Sequence, residues 1–291
     1  MTKVLTLISN PENPILNDDI RDKYSTLLTA SKSRWLNENV ALDIFFEGDV
    51  PNEVFENLKH EKVDYAIQDI ATRSKKLLLA DMDSTIIQCE CIDELADFLG
   101  IKDKVSHITE AAMRGEIDFK GALRERVALL KGLKVADLGK VFDERVKLTP
   151  GATTLVKTMN ANGAKTVLVS GGFTYFTGRV SETTGFQVNR ANILLHENGE
   201  LTGEVGEPIV DSDTKINTLR EFQSELELED HEIIAVGDGA NDIPMLVGAG
   251  LGVGYYPFPT AGEAADVAIR NSDLTALLYI QGYSISDFII S

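Results

Sequence analysis

The chain has 291 residues, of which 43% are hydrophobic and 25% charged, and its formal net charge is -18. This is ordinary globular composition, long enough for about two domains, and it excludes the intrinsically disordered and fibrous classes. The excess of acidic residues argues against nucleic acid or an anionic membrane as a partner, because both are bound by clusters of Lys and Arg.

The N-terminal segment MTKVLTLISN carries one lysine and an apolar patch that is too short for a signal peptide. No run in the sequence approaches the roughly 18 apolar residues that a membrane-spanning helix needs. We therefore expect a cytoplasmic protein.

Residues 1–72 predict a small α+β domain. Strand patterns cover 3–8, 41–47 and 63–68, with a short strand near Trp35, and helix patterns lie near 16–30 and 51–59. The expected order of elements is β-α-β-β-α-β. The polar and basic bridge ATRSKK, residues 71–76, is the expected junction with the rest of the chain.

From residue 73 onward the pattern is α/β. The apolar runs KLLLA (76–80), KTVLV (165–169) and EIIAV (232–236) predict parallel strands that are buried on both faces. Each run is followed at once by polar or Gly-rich sequence, DMDST, SGGF and GDGAND respectively. Ligands of open α/β sheets bind beyond the carboxyl ends of the strands. We predict a Rossmann-like core with a parallel sheet, residues 73–88 and 150–291, whose site lies at these strand ends.

Residues 89–149 predict a helical cap inserted into that core. The first two strands are separated by about 80 residues, far more than one crossover helix needs. Segments such as IDELADFLG and FKGALRERVALLKGL have helical spacing, and Gly100 and Gly132 suit helix ends.

The motif DMDST places two carboxylates after a buried strand. Asp81 and Asp83 are spaced i and i+2, so they face the same way if the chain stays extended. Such a pair repels unless a cation or a shared proton compensates it. Phosphoryl transfer can use both remedies, since a metal-bound aspartate can attack phosphorus while a second one protonates the leaving alcohol. An isolated D-x-D also fits a turn in which Asp caps the next segment.

The other two strand ends favour the chemical interpretation. GDGAND supplies Asp238, Asn241 and Asp242, hard oxygen ligands of the kind that suit Mg²⁺. SGGF supplies the Ser170 hydroxyl and backbone N–H groups at a predicted helix start, which together suit an anion. Each feature alone is common, but the three follow three predicted strands.

At these residues the chain resembles a known family. LLLADMDST, VLVSGGF, the lysine of DSDTKIN and VGDGAND resemble the four motifs of the haloacid dehalogenase superfamily, in the same order. DMDSTIIQCE, AAMRGEIDFKGALRERV and AVGDGANDIPML are most similar to the members that hydrolyse phosphoserine. The resemblance covers about residues 74–285. Some relatives carry amino-acid-binding ACT-like domains before this part, and residues 1–70 are at best a diverged version of one.

The resemblance implies Mg²⁺-dependent hydrolysis of O-phosphoserine, the last step of serine biosynthesis, through an aspartyl-phosphate. Asp81 would be the nucleophile, and Asp83 the general acid that later activates water. Mg²⁺ would be held by Asp81, the backbone carbonyl of Asp83 and Asp238, with Asp242 in support.

The resemblance also implies how the substrate is bound. The phosphoryl group would lie against Ser170, Gly171, Gly172, Lys215 and Asn241. Glu90 would bind the ammonium group of serine and Arg126 its carboxylate, with Met113 and Phe119 on the apolar side. Without the resemblance, Arg124 would be as good a candidate as Arg126, and Met113 and Phe119 would be core residues.

Three other functions remain open from the sequence. Within the same superfamily these are a P-type ion pump, which Asp83 and the lack of membrane spans oppose, and a phosphomutase. From a different class, the protein could be a non-catalytic amino-acid sensor, although it has every predicted catalytic residue. The sequence predicts a small-molecule substrate without nucleic-acid or membrane partners, and it leaves a homodimer open.

Overall fold

The N-terminal part of the protein is a four-stranded antiparallel sheet covered by two helices. The computed structural model describes residues 2–114 and 116–290, and the side chain of Met113 lies outside the described part. The elements are β1 (Thr2–Ile8), α1 (Asp18–Leu27), β2 (Lys32–Asn37), β3 (Ala41–Glu47), α2 (Asn52–Leu58) and β4 (Asp64–Asp69). The strand order is β2-β3-β1-β4. The predicted β-α-β-β-α-β order is confirmed.

The two faces of this antiparallel sheet pack against different parts of the protein. Leu42 and Ile44 of β3 belong to an apolar cluster of this domain that also contains Val54 of α2. Ala41 and Ile8 instead belong to the large cluster that runs through the rest of the protein. The second face therefore packs against the rest of the chain.

The remaining strands form a parallel sheet and a hairpin. They are β5 (Leu77–Ala80), β6 (Lys165–Phe173), β7 (Val188–Asn192), β8 (Leu194–Glu197), β9 (Glu200–Val205), β10 (Ile233–Gly237), β11 (Leu251–Tyr255) and β12 (Val267–Ile269). The six-stranded sheet has the order β12-β11-β10-β5-β6-β7, and β8 pairs with β9. All pairs within the six-stranded sheet are parallel.

The three strands predicted from apolar runs lie side by side in the middle of this sheet. Leu79 of β5 is level with Val167 of β6 and Ala235 of β10. All four residues of β5 are buried, as expected for a strand covered on both faces. The carboxyl ends of β5, β6 and β10 therefore meet at one edge. β6 runs on through SGGF to Phe173, so the helix predicted there begins only at Thr174.

The helices of the rest of the chain cover the sheet or form the insertion. They are α3 (Cys91–Phe98), α4 (Lys102–Met113), α5 (Phe119–Ala128), α6 (Val135–Arg145), α7 (Ala152–Ala161), α8 (Thr174–Thr184), α9 (Ser212–Glu225), α10 (Ile243–Gly248), α11 (Pro259–Ala264) and α12 (Ala276–Ile280). Within the described residues, none of these helices is both long enough and apolar enough to cross a membrane.

Helices α3 to α6 form the predicted insertion between β5 and β6. Its two connections run together, since Ile87 pairs with Leu148 in an antiparallel bridge and Gln88 N donates to Lys147 O at 3.0 Å. Gly100 follows Leu99, the C-cap residue of α3, as predicted for a helix end. We propose the division into 1–72, 73–88 with 150–291, and 89–149.

The junction between the N-terminal domain and the core is not a solvated linker. Arg73 is 6% exposed, and its guanidinium donates two hydrogen bonds of 2.8 Å to the carboxylate of Asp43. It also donates to the hydroxyl of Thr6 and to the backbone carbonyls of Tyr279 and Ile280. These contacts, called the Arg73 clasp below, join β1, β3 and α12. The polar bridge predicted at 71–76 is thus partly a buried interface.

Candidate active site

A cavity lies at the carboxyl ends of β5 and β6, beneath the helical insertion, and its empty space of about 390 Å³ includes the part that is open to solvent. Its lining consists of Asp81, Asp83, Glu90, Ile92, Phe119, Leu123, Arg126, Ser170, Gly171, Gly172, Phe173 and Asn241. The structure thus brings most of the predicted site residues to one place. Lys215 and Asp238 lie next to Asp81 behind this lining, and Met113 is outside the described side chains.

The turn after β5 sets the direction of Asp81 and Asp83. Asp81 N donates to Val236 O at 2.9 Å, so the pairing with β10 continues one residue beyond the strand. Asp83 remains extended, and Ser84 then takes a left-handed conformation with φ 56°. This reversal lets Ile87 N donate back to Met82 O at 3.0 Å. The chain leaves the sheet edge with Asp81 and Asp83 both lining the cavity.

Lys215 connects Asp81 to Asp242. Its ammonium lies 2.7 Å from Asp81 Oδ1 and 2.6 Å from Asp242 Oδ1, and the side chain is fully buried. Burial alone would lower the pKa of Lys215, but the two carboxylates raise it above its ordinary value. The lysine therefore stays charged, and Asp81 keeps its second oxygen free of hydrogen bonds from the described residues.

Asp81, Asp238 and Asp242 form a cluster of buried carboxylates. One oxygen from each lies within 4.8 Å of the other two. The second oxygen of Asp242 accepts hydrogen bonds from the backbone N–H groups of Asp238 and Gly239, so this residue shapes the loop. The hydroxyl of Thr85 donates to Asp238 at 3.3 Å. Asp81 and Asp238 are the two members with an oxygen left for a ligand.

The carboxylate cluster has more negative charge than Lys215 balances. Burial, together with the charge of Asp242, raises the pKa of Asp81 to about 7. Burial and Asp242 likewise raise the pKa of Asp238 well above its ordinary value. A further positive charge at the cluster would offset the repulsion between these carboxylates. Carboxylate oxygens are the ligands that a hard divalent cation takes. The residues present fit such an ion.

Asp83 lies on the other side of the cavity floor. One of its oxygens accepts from Cys91 N at 2.8 Å, and the other lies 3.1 Å from the hydroxyl of Ser170. That hydroxyl accepts from Gly172 N at 2.8 Å. A Cβ at Gly172 would lie 2.5 Å from Asp83 Oδ2, so only glycine allows this approach. Burial raises the pKa of Asp83, which favours a protonated acid.

The insertion supplies the opposite wall, which carries one acidic and one basic side chain. Glu90 accepts from the Ser84 hydroxyl at 2.7 Å, and burial raises the pKa of Glu90 well above its ordinary value. Arg126 is 2% exposed at the end of α5. Phe119 at the start of α5 reaches the end of β6, since a Cβ at Gly171 would lie 2.6 Å from its ring. The insertion therefore covers this side of the cavity and places an acidic and a basic side chain in its lining.

The side chain of Asn241 has a buried oxygen without a hydrogen-bond partner among the described residues. The residue is 9% exposed. A buried polar atom without a partner is costly, and such atoms in a cavity are commonly satisfied by a ligand or water. The position of Asn241 in the cavity lining therefore suits contact with a bound polar group.

Several residues near the site were not predicted from the sequence. Ser84 and Thr85 hold Glu90 and Asp238, and their position inside DMDST was a signal that could have identified them. Ile92 and Leu123 line the cavity, but nothing distinguishes them from other apolar helix residues. Arg124 is not in the cavity lining. It pairs with Glu207 at 2.7 Å across the boundary between the insertion and the core.

The chain is similar to known proteins over most of its length. Residues 78–247 match the family model described as haloacid dehalogenase-like hydrolase. The phosphoserine phosphatase of Polaromonas sp. strain JS666 is 47% identical over 221 residues, which are 74% of this chain and 94% of that protein. The phosphoserine phosphatase of Saccharomyces cerevisiae is 33% identical and covers 97% of this chain and 96% of its own length. The second likeness extends through the N-terminal domain.

Solved structures show the same relationship. A HAD family hydrolase from Salmonella enterica serovar Typhi superposes with a TM-score of 0.84 at 29% identity, over 96% of this chain and 98% of the other. A phospho-aspartyl intermediate analogue of phosphoserine phosphatase superposes with a TM-score of 0.68 at 36% identity, over 71% of this chain and 98% of the other.

Proposed function

Because this chain belongs to the haloacid dehalogenase-like hydrolases, and within them to the phosphoserine phosphatases, we propose that it hydrolyses O-phosphoserine to serine and phosphate. We propose that the reaction requires Mg²⁺ and passes through an aspartyl-phosphate on Asp81. We also propose that the protein catalyses the last step of serine biosynthesis and is located in the cytoplasm. The observation that supports this substrate most directly is that Glu90 and Arg126 both line the cavity that also holds Asp81 and Asp83.

In this proposal Asp81 is the nucleophile. Lys215 donates to one oxygen of its carboxylate, which fixes the side chain for attack on phosphorus. The P–O bond to serine breaks as the Asp81–phosphorus bond forms, and hydrolysis of the resulting acyl-phosphate restores Asp81. Lys215 also neutralises charge on the phosphoryl group during transfer.

Asp83 is the general acid in the proposed reaction. Its raised pKa keeps a proton available for the serine oxygen as the P–O bond breaks. Once deprotonated, the same carboxylate can take a proton from the attacking water. Ser170 and Cys91 N hold the carboxyl group in place through both stages.

Asp81 and Asp238 would hold Mg²⁺ through side-chain oxygens and Asp83 through its backbone carbonyl, with Asp242 positioning the loop. When bound, the ion supplies positive charge to the phosphoryl oxygens and to the crowded carboxylates. Asn241, Gly171 and Gly172 complete the contacts to phosphate in this proposal.

The serine part of the substrate carries an ammonium and a carboxylate. Glu90 is proposed to bind the former and Arg126 the latter, since a guanidinium suits bidentate recognition of a carboxylate. Phe119 covers the aliphatic part, and Met113 is proposed beside it from the sequence alone. A zwitterion thus matches the charges of the cavity better than a neutral or purely anionic alcohol would.

The test is phosphate release from a panel of phosphomonoesters with and without Mg²⁺. O-phosphoserine should give the highest kcat/KM, and O-phosphoethanolamine, which lacks only the carboxylate, should give a value lower by roughly tenfold or more, the worth of one charge-assisted contact. Equal values for the two compounds would refute the proposed role of Arg126. Transfer of phosphate between two positions of one substrate would instead support a phosphomutase. A homodimer stays a prediction of the sequence.

A further inference from the structure

The guanidinium of Arg126 is buried without a salt bridge. The side chain is 2% exposed, and no carboxylate within the described residues forms an ion pair with it. A buried charge of this kind is costly unless it is hydrogen-bonded. Its protein partners are the backbone carbonyl of Ala122, 3.2 Å from Nε, and the hydroxyl of Thr109, 3.0 Å from one terminal nitrogen.

Thr109 is the middle of a chain of hydrogen bonds. It lies on α4, is 2% exposed, and its hydroxyl donates to Asp93 Oδ1 on α3 at 2.8 Å. A carbonyl of its own helix, Val105 O, lies further away at 3.1 Å and carries no formal charge. Because the hydroxyl has one proton and accepts from Arg126, that proton goes to the carboxylate. The second oxygen of Asp93 accepts from Ser106 at 2.6 Å.

We propose that Thr109 and Asp93 are positioning residues that orient Arg126 toward the carboxylate of the substrate. The relay joins α3, α4 and α5 and fixes one edge of the guanidinium. The hydroxyl between the two charges has a specific effect. An aspartate in direct contact would occupy two guanidinium donors, whereas the threonine uses one and leaves the outer nitrogen for a ligand. This inference rests on the proposed function, since it concerns the group that recognises the serine carboxylate.

The test compares Thr109→Val with Thr109→Ser. Valine has nearly the shape of threonine without the hydroxyl, and serine restores the hydroxyl without the methyl group. Both are assayed for kcat and KM with O-phosphoserine and with O-phosphoethanolamine. Thr109→Val should raise the KM for O-phosphoserine roughly tenfold, as expected for one weakened contact to a charged group. Its kcat, and both constants for O-phosphoethanolamine, should stay within about twofold of the wild type, because the carboxylate is remote from phosphorus. Thr109→Ser should behave like the wild type.

The matched control is Thr184→Val. Thr184 is also fully buried near the end of a helix and donates to the carbonyl four residues before it, Val180 O, at 2.7 Å. Its replacement makes the same chemical change at a distance from the cavity. It should lower the melting temperature without altering the preference for O-phosphoserine, which separates loss of stability from loss of positioning.

The outcomes distinguish this inference from the proposed function. If the wild type prefers O-phosphoserine and Thr109→Val keeps that preference, the relay is refuted while the function stands. If the wild type hydrolyses the two compounds equally well, the proposed role of Arg126 fails and the relay fails with it, and if it does not hydrolyse O-phosphoserine, the proposed function fails. Should Thr109→Val not fold, Asp93→Asn removes the charge while keeping an oxygen for Thr109. An increase of roughly threefold in the KM for O-phosphoserine alone would support the relay, and an unchanged KM would refute it.

Discussion

Replacing Arg73 by methionine should destabilise the protein strongly. The change removes the guanidinium that binds Asp43, Thr6 and two carbonyls of α12, but it retains most of the side-chain length. Asp43 then stays in the interface with its side chain fully buried. Its remaining donors are the hydroxyl of Thr6 at 2.8 Å and Arg34 at 3.1 Å.

The expected loss of stability follows from the burial of the Arg73–Asp43 ion pair. Removing one partner of a buried ion pair typically costs about 3 to 5 kcal/mol, because the other charge remains without compensation. For a chain of this size that loss lowers the melting temperature by roughly 5 to 8 °C. The control is Arg34→Met, which removes a second arginine from the same carboxylate. The side chain of Arg34 is 54% exposed. Its loss should therefore cost only about 0 to 1 kcal/mol.

The assay is denaturant unfolding followed by two signals. Trp35 is the single tryptophan and lies on β2, so its fluorescence reports the N-terminal domain. Phosphatase activity reports the core. In the wild type the two transitions should occur at the same denaturant concentration. In Arg73→Met the Trp35 fluorescence transition should occur at a lower denaturant concentration than the loss of activity. If the free energies of unfolding of Arg73→Met and Arg34→Met differ by less than about 1 kcal/mol, the Arg73 clasp does not stabilise the interface as a buried ion pair would.

Four further predictions concern the chemistry. Asp81→Asn should abolish turnover with an unchanged circular dichroism spectrum, because an amide does not attack phosphorus; turnover that survives in a clean preparation would contradict its role. Asp83→Asn should slow O-phosphoserine hydrolysis far more than aryl phosphate hydrolysis, since only serine needs a proton to leave. Because burial raises the pKa of Asp83 and the acid works when protonated, kcat for O-phosphoserine in the wild type should fall as the pH rises through that pKa, and a flat pH profile would oppose the assignment. Chelation should remove activity and Mg²⁺ restore it, whereas Ca²⁺ should inhibit because it takes a looser, larger coordination shell; full activity in chelator would exclude the ion.

The sequence was most informative where chemistry and burial coincide locally. The apolar run of β5 followed by Asp81 and Asp83 marked both a central strand and the centre of the cavity. Short or irregular strands gave no comparable signal. β12 has only three residues, and β11 reads LGVGY, in which glycine interrupts the apolar pattern. The strands at this edge exist because they pair with a sheet already formed, which is tertiary context rather than local preference.

Charged residues were harder to interpret, because their role depends on partners that are distant in sequence. Arg73 lies in a segment that resembles a solvated linker, and its partners are 30 residues before it and more than 200 after it. Arg124 and Arg126 have the same local pattern, yet one is exposed and the other buried. Helical periodicity did not decide between them, since the packing of α5 against α4 determines which face is covered.

The Arg73 clasp has a consequence for how the protein is made. Synthesis proceeds from the N-terminus, and N-terminal domains generally fold first. The two carbonyls that Arg73 needs follow it by 206 and 207 residues. The antiparallel sheet can therefore form long before α12 has emerged from the ribosome. Until then the face of the sheet that carries Asp43 is open to water, and a chaperone that acts during translation would meet that face before the finished enzyme covers it.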